Sequence, residues 1–231
     1  MTASLLGRVP RELRLQIYEQ LFPDRPIPAH PTNQPGSLRH DGSRTSVAIL
    51  LVNRATYSEA LPVLYSRVPF HVHVSRAGVR MCCGRMPLAA AAAAPSAADA
   101  TPLRHVRRLH VSMSVLLTPW PHALDATATH AALLVDCLRA AAPVPLASLH
   151  LHVEWANGGT NFPVTYPTPA LARRLLLPFA RLRSAAVSFG RVASPRWDFG
   201  AADAGRLEDA AELLKEELRA AIVDGVHRGN A

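Results

Sequence analysis

The chain has 231 residues, of which 49% are hydrophobic and 18% charged, so it can bury a core and is excluded from the disordered class. Its formal charge of +8 allows an acidic protein, a nucleic acid or an anionic membrane surface as a partner. Because Lys215 is the single lysine, arginine carries this charge, and arginine-rich usage beside abundant alanine also follows from a GC-rich coding bias.

Cysteine usage and the lack of long apolar runs indicate a protein of a reducing compartment. Cys82, Cys83 and Cys137 fit neither a zinc motif nor an even set of disulfides. No run approaches the ~20 apolar residues that span a bilayer, and no signal peptide precedes Pro10. We therefore expect a cytoplasmic or nuclear protein without a membrane partner.

The first predicted helix begins at Pro10, whose missing N–H costs nothing in a first helical turn. Apolar residues then recur every four positions and form a stripe along one side of the helix. The stripe consists of Leu13, Ile17 and Leu21, with Tyr18 and Phe22 widening it. Five prolines between residues 23 and 46 predict that an exposed, irregular insertion follows.

The second helical region is predicted from Val47 to Tyr65. A break is expected near Pro62, because proline lacks the N–H of an interior helical hydrogen bond. Residues 70–74 alternate apolar and polar side chains, which predicts a short strand. The Ala- and Pro-rich stretch at 76–102 predicts a linker between two domains.

Three later segments share the pattern apolar-x-x-apolar-x-apolar. They begin at Val106, Leu146 and Leu182, and helical patterns separate them. A last helix is predicted from Ala204 to Val223. Strand-then-helix units repeating at intervals of about forty residues predict a parallel sheet built by repetition.

Only alternate positions of these strands are apolar, so helices should cover one sheet face and leave the other open. This pattern predicts an irregular β–α array similar to a short leucine-rich-repeat domain. From the first two strands, the open face would carry Arg108, His110, Ser112, Ser114, Ser148, His150, His152 and Glu154, followed by Trp155 at the end of the second strand. The third strand would add Ser184, Ala186 and Ser188.

The open face allows three interpretations. His150, His152 and Glu154 project to the same side of one strand, which is also a metal-ligand spacing. A surface that binds a protein or peptide and a plain solvated face are both favoured over a metal site. We therefore predict no metal and no cofactor.

No catalytic motif accompanies these features. The sequence has no Gly-x-Ser-x-Gly elbow, no Cys–His arrangement and no phosphate-binding loop, so an enzyme is not expected. Arg104, Arg107 and Arg108 form the strongest basic cluster, but no groove-fitting motif or stacking aromatic accompanies them. Nucleic-acid binding is therefore not favoured.

The two N-terminal segments resemble the F-box, a small helical domain that docks the adaptor protein of cullin–RING ubiquitin ligases. F-boxes begin with a Leu-Pro pair before an apolar helix, and this chain has Val9-Pro10 followed by Leu13 and Ile17. The second segment carries Leu-Leu-Val-Asn-Arg at residues 50–54, where F-boxes have a Val-Cys-Arg-like step. Both segments are similar to a large set of F-box-like proteins of filamentous fungi.

This resemblance covers roughly residues 5 to 75. It implies that the ligase adaptor would contact six residues: Val9, Pro10, Leu13, Ile17, Leu50 and Val52. Packing of the same stripe against the repeat array is the open alternative.

Together these patterns predict an α+β protein in three parts. An F-box-like helical module occupies residues 1–75 with an insertion at 23–46, a linker follows at 76–102, and a β–α repeat-like domain occupies 103–226. The predicted function is a non-enzymatic interaction module that recruits an unknown protein target to a cullin–RING ligase. The alternatives are a stand-alone interaction protein without ligase binding, and an Arg-rich protein associated with nucleic acid.

Overall fold

The computed structural model of the protein describes residues 5–22, 27, 29, 48–81, 84–86, 103–117, 122–141, 145–157, 169–190, 192 and 201–227. Within this part of the chain, five α-helices and a six-stranded sheet form a mixed α/β fold. The helices are α1 (Arg11–Leu21), α2 (Arg54–Arg67), α3 (His122–Ala141), α4 (Pro169–Leu176) and α5 (Ala201–His227). The strands are β1 (Phe70–Ser75), β2 (Gly78–Met81), β3 (Gly84–Arg85), β4 (Arg108–Leu117), β5 (Ser148–Asn157) and β6 (Val187–Phe189). Short 3-10 helices cover Leu5–Arg8, Ala48–Leu51, Leu103–His105 and Leu177–Arg181.

The sheet is mostly parallel and has the order β3-β2-β1-β4-β5-β6. β1, β4, β5 and β6 run parallel, while β2 and β3 extend β1 as antiparallel strands. Helix α3 connects β4 to β5, and α4 with the 3-10 helix after it connects β5 to β6. Parallel strands need such crossovers because a tight turn reverses the chain and can therefore join only antiparallel neighbours. The predicted parallel sheet of alternating strands and helices is confirmed.

The longest ladder joins β4 to β5 and matches the first two repeat units. Leu109 lies opposite Leu149, as the shared sequence pattern predicts. In the third unit Leu149 lies opposite Val187, two residues away from the predicted partner Ala185. A shift of two residues preserves the alternation of the two faces, so Ser188 lies beside His150 on the open side of the sheet.

One face of the sheet is the core. The inward side chains of β4 and β5 are almost fully buried, and they are Leu109, Val111, Met113, Val115, Leu149, Leu151, Val153 and Trp155. Helix α3 packs on β1 and β4, and α5 packs on β6 and the preceding 3-10 helix. On α5, Leu214, Leu218 and Ile222 are buried as their spacing predicts.

Helices α1 and α2 are joined by a charged contact. The Arg14 guanidinium donates to both carboxylate oxygens of Glu59, at 2.9 and 2.6 Å, and the Tyr18 hydroxyl donates to the same carboxylate at 3.2 Å. The hydrogen bond from Arg14 lowers the pKa of the Glu59 carboxyl. The Tyr18 side chain is fully buried and lies with Phe22 in the hydrophobic core, so it anchors α1 to the rest of the protein. This contact fixes which side of α1 faces the protein.

The predicted helix break near Pro62 is wrong. Pro62 lies inside α2 and does not end it, since the helix continues to Arg67. Packing of Ala60, Leu61 and Leu64 into the core compensates for the hydrogen bond that proline omits.

The predicted domain boundary also differs from the structure. Gly78–Met81 lies inside the stretch assigned to a linker, yet it forms β2 and pairs with β1. β1 belonged to the predicted N-terminal module, but it pairs with β4 in one sheet. Even Ile27, from the Pro-rich insertion, forms a parallel bridge with Phe70. The sheet therefore continues across the predicted boundary.

The assignment of the two faces is tested by neighbouring positions on β5. Leu151 is fully buried, so we expect Leu151→Ala to lower the free energy of unfolding by about 2–5 kcal/mol. Glu154 lies on the opposite, exposed side, and Glu154→Ala is expected to change it by less than about 0.5 kcal/mol. Urea denaturation followed by circular dichroism measures both; equal effects would contradict the assignment.

Candidate functional site

The open face of the sheet carries eight of the nine residues that the sequence placed there from the first two strands. Their side chains alternate with the core positions of β4 and β5 and are half-buried or exposed. The eight are Arg108, His110, Ser112, Ser114, Ser148, His150, His152 and Glu154. The ninth, Trp155, is buried on the core side, where its indole N–H donates to the Val192 carbonyl at 2.7 Å, so its assignment to the open face is wrong. Of the predicted third-strand residues, Ser188 is exposed in β6, but Ser184 is fully buried before β6 begins. The Ser184 hydroxyl donates to the Ala186 carbonyl instead, so its assignment to the open face is wrong.

Strand register arranges these residues in rows across the sheet. The first row runs from His71 on β1 through His110 and His150 to Ser188 on β6. We call the four residues of this row, Arg108 in the row before it and their five neighbours in the next two rows the histidine face. The neighbours are Arg80, His73, Ser112 and His152 in the second row, and Glu154 in the third beside Ser114.

Serine hydroxyls connect the imidazoles of this face. The Ser112 hydroxyl lies 2.7 Å from Nε2 of His71 and 3.2 Å from Nδ1 of His73. The Ser188 hydroxyl lies 2.9 Å from Nδ1 of His150. Each hydroxyl can donate or accept, so these contacts persist in either imidazole tautomer.

The middle of the face is a groove of about 670 Å³, lined by His71, His73, His110, Val111, Ser112, His150, His152 and Glu154. Gly190 lies directly beside it. A Cβ atom at position 190 would stand 2.7 Å from Nδ1 of His152 and 3.1 Å from Nε2 of His150. The bare Cα of glycine therefore lets the main chain approach both rings.

Crowding of the imidazoles disfavours their charged form. Burial lowers the pKa of His110, and the neighbouring His150 and His71 lower it further. Burial and the neighbouring His152 likewise lower the pKa of His150. The His110 and His150 rings lie 5.1 Å apart between centroids, so protonating both would place two positive charges in contact.

In the part of the chain that the structure describes, no three His, Cys, Asp or Glu side chains come together as metal ligands. Nδ1 of His150 contacts Ser188, and the Glu154 carboxylate accepts from Ser114 at 3.3 Å.

The second candidate surface is formed by the N-terminal apolar residues. Leu13 and Ile17 on α1 are 49% and 37% exposed, and Val52 is 52% exposed. Leu21, Leu51 and Tyr57 are exposed beside them in the sequence. We call these six residues the N-terminal apolar surface. Of the other predicted adaptor contacts, Pro10 is exposed, Val9 is half-buried, and Leu50 packs against the core.

The apolar stripe of α1 is divided between two environments. Tyr18 and Phe22 are buried, whereas Leu13, Ile17 and Leu21 are exposed. The sequence left open whether this stripe faces a partner or the protein interior. In the structure one part of the stripe packs into the interior and the other part is exposed at the surface.

Comparisons with known proteins identify no relative. No protein-family model, curated protein or solved structure matches the chain. In the described residues, no helix has the length and apolar character that a membrane crossing requires.

Sequence reasoning underestimated the contribution of β1 and β2 to the histidine face. His71 and His73 were not among the residues predicted for the open face, and Arg80 fell in the predicted linker. Their alternation with Val72 and Val74 was the available signal. Parallel pairing of β1 with β4, across more than thirty residues, left no local sequence signal.

The lowered pKa values predict how stability depends on pH. An unfolded histidine takes up its proton near its ordinary pKa of about 6.5, whereas native His110 and His150 resist protonation until lower pH. The unfolded state therefore binds more protons in this window, and stability falls as pH decreases through it. We expect the double variant His110→Gln, His150→Gln to lose much of this pH dependence. Urea denaturation between about pH 7.5 and pH 5 measures it.

A histidine elsewhere provides the matched control. His130 lies on α3, where its Nδ1 contacts the Ser75 carbonyl at 2.9 Å. His130→Gln should retain the dependence that arises from the histidine face. An unchanged slope in the double variant would contradict our account of His110 and His150.

Proposed function

We propose that the chain is a protein-interaction module that recruits a target protein to a cullin–RING ubiquitin ligase. In this proposal the N-terminal apolar surface binds the ligase adaptor, and the histidine face binds the target. The observation that carries the proposal is the exposure of Leu13, Ile17 and Val52, three of the six residues that the F-box resemblance assigns to adaptor contact.

Exposed apolar side chains on one helix face support a docking role. Leu13, Ile17 and Leu21 lie one turn apart, so they form a continuous ridge on the outside of α1. Burying such side chains against a partner removes apolar area from water, which is the main driving force of association. Clusters of this kind on otherwise polar surfaces commonly mark protein-binding sites.

The anchoring of α1 keeps this ridge exposed. Tyr18 is buried below α1, and the contact between Arg14 and Glu59 on α2 prevents the helix from rolling. A second ion pair, between Arg67 on α2 and Glu19 on α1, joins the same two helices near the surface. Turning Leu13 and Ile17 inward would break the Glu59 contacts and expose the Tyr18 ring. Such pre-organisation reduces the entropy that a partner must remove on binding.

Two surfaces on different elements suit a recruiting protein. The ridge lies on α1, while the histidine face lies on β1, β2, β4, β5 and β6. Neither surface needs a bound cofactor or metal ion to recognise a protein, so the proposal includes no cofactor and no enzymatic step.

A stand-alone interaction protein is the second candidate. The observation that favours it is Leu50, which resemblance assigns to the adaptor but which packs against the core here. In that case the same ridge would bind a different protein partner.

The adaptor proposal predicts co-elution of the purified chain with the adaptor protein of cullin–RING ligases. The double variant Leu13→Asp, Ile17→Asp should remove this co-elution, since it places two carboxylates on the docking ridge. If both side chains are hot spots of about 2 kcal/mol, the Kd rises roughly a thousandfold. Size-exclusion chromatography with titration calorimetry measures the change.

Leu213→Asp is the matched control, because Leu213 is 72% exposed on α5 and lies outside the ridge. It should leave adaptor binding unchanged. Absence of co-elution by the unaltered chain at micromolar concentration would refute adaptor binding and leave the stand-alone candidate.

A further inference from the structure

The histidine face has an unequal balance of ionisable groups. Among the described residues it carries five imidazoles, from His71, His73, His110, His150 and His152. Two guanidinium groups accompany them: Arg80 lies opposite His73 in the antiparallel β1–β2 pair, and Arg108 lies two residues before His110. Glu154 is the one carboxylate in the described rows. A surface so composed becomes strongly positive when its imidazoles take up protons.

The groove has the dimensions of an extended peptide. Along β5 its lining runs from His150 to Glu154, which spans four residues, or roughly 13 Å. Across the sheet it runs from His71 on β1 to His150 on β5, which is two strand spacings, or about 10 Å. An extended segment of about four residues fits along this length, and the groove volume of about 670 Å³ accommodates its side chains.

Anions would favour protonation of this face. Without a ligand, crowding and burial keep His110 and His150 neutral, because two adjacent imidazolium ions repel each other. A carboxylate placed between them would offset that repulsion and accept charge-assisted hydrogen bonds from both rings. Ligand binding and proton uptake are then linked, so each favours the other.

We propose that the histidine face binds an acidic segment of a target protein and binds it more tightly as the pH falls. This inference deepens the proposed target-binding role of the face and rests on it. His71 and His73 from β1, Arg80 from β2, Arg108 and His110 from β4, and His150 and His152 from β5 provide the positive charge. Glu154 marks the end of the groove that repels acidic residues. Ser188 on β6 and Gly190, which follows β6, carry no charge.

The composition of the face favours a peptide over a nucleic acid. Single-stranded nucleic acids bind on aromatic platforms beside a standing positive charge. The described rows contain no Phe, Tyr or Trp; Trp155 and Phe189 occupy the opposite parity of β5 and β6. Arg80 and Arg108 lie at the margins of the face, and the middle is charged only after protonation.

The test uses the full chain and fluorescein-labelled eight-residue peptides. One peptide contains only Asp and Glu, and its matched control contains Asn and Gln at the same positions. Fluorescence anisotropy at about pH 7.5 and pH 5.5 measures both affinities. Each proton taken up on binding changes affinity by up to about tenfold per pH unit, so we expect roughly tenfold or more tightening for the acidic peptide. The amide peptide should bind weakly at both pH values.

Two variants locate the effect. His110→Gln with His150→Gln should abolish most of the tightening, whereas His130→Gln on α3 should preserve it. Binding of the acidic peptide that is independent of pH, or tightening that persists in the double variant, would overturn the proposal. A single-stranded oligouridylate that binds more tightly than the acidic peptide, and loses binding in the same double variant, would also overturn it in favour of a nucleic-acid surface.

The result separates this inference from adaptor binding. Leu13→Asp with Ile17→Asp should leave peptide affinity unchanged, and the histidine variants should leave adaptor co-elution unchanged. If the chain binds the acidic peptide but no ligase adaptor, the target chemistry stands and the ligase role fails. If it co-elutes with the adaptor but binds no acidic peptide, the opposite holds.

Discussion

The parallel pairing of β4 with β5 is the interaction on which the rest of the structure depends. Ten consecutive residues of each strand pair in one register, and their side chains alternate strictly between two faces. The apolar half of this alternation must be covered by helices, which α3 and the helices after β5 accomplish. The polar half is then placed together on the opposite side by the same register. Core and candidate site are therefore consequences of one ladder, and a slip by one residue would exchange them.

Much of this ladder could be predicted from sequence because its information is local. The spacing of Leu109 and Val111, repeated at Leu149 and Leu151, defines strand, register and face together. Eight of the nine residues assigned to the open face of these two strands lie there, and Trp155 is buried because it follows the parity of the core positions. The third unit is less regular, and Ser184 is buried because the chain enters β6 only at Val187.

The remaining features depend on interactions between distant parts of the chain. β1 carries two histidines of the site, but its pairing with β4 depends on packing across a long intervening segment and has no sequence period. A break in α2 was expected near Pro62. The helix continues because the burial of Leu61 and Leu64 beside it outweighs the low helix propensity of proline. The α1 stripe is wider than the interior can cover, and periodicity does not specify which half is buried. The buried half is determined by Glu59 on α2, whose carboxylate accepts hydrogen bonds from Arg14 and Tyr18 about forty residues earlier in the chain.

The bridge between Ile27 and Phe70 connects the chain that follows α1 to strand β1. Ile27 follows the last residue of α1 by six positions, and its main chain donates to the Pro69 carbonyl and accepts from the His71 N–H, each at 2.9 Å. The chain leaving the apolar ridge is thus tied to β1 at the residue that begins the first histidine row. The backbone that follows the apolar ridge is therefore hydrogen-bonded directly to the first strand of the histidine face, in addition to the side-chain contacts between α1 and α2.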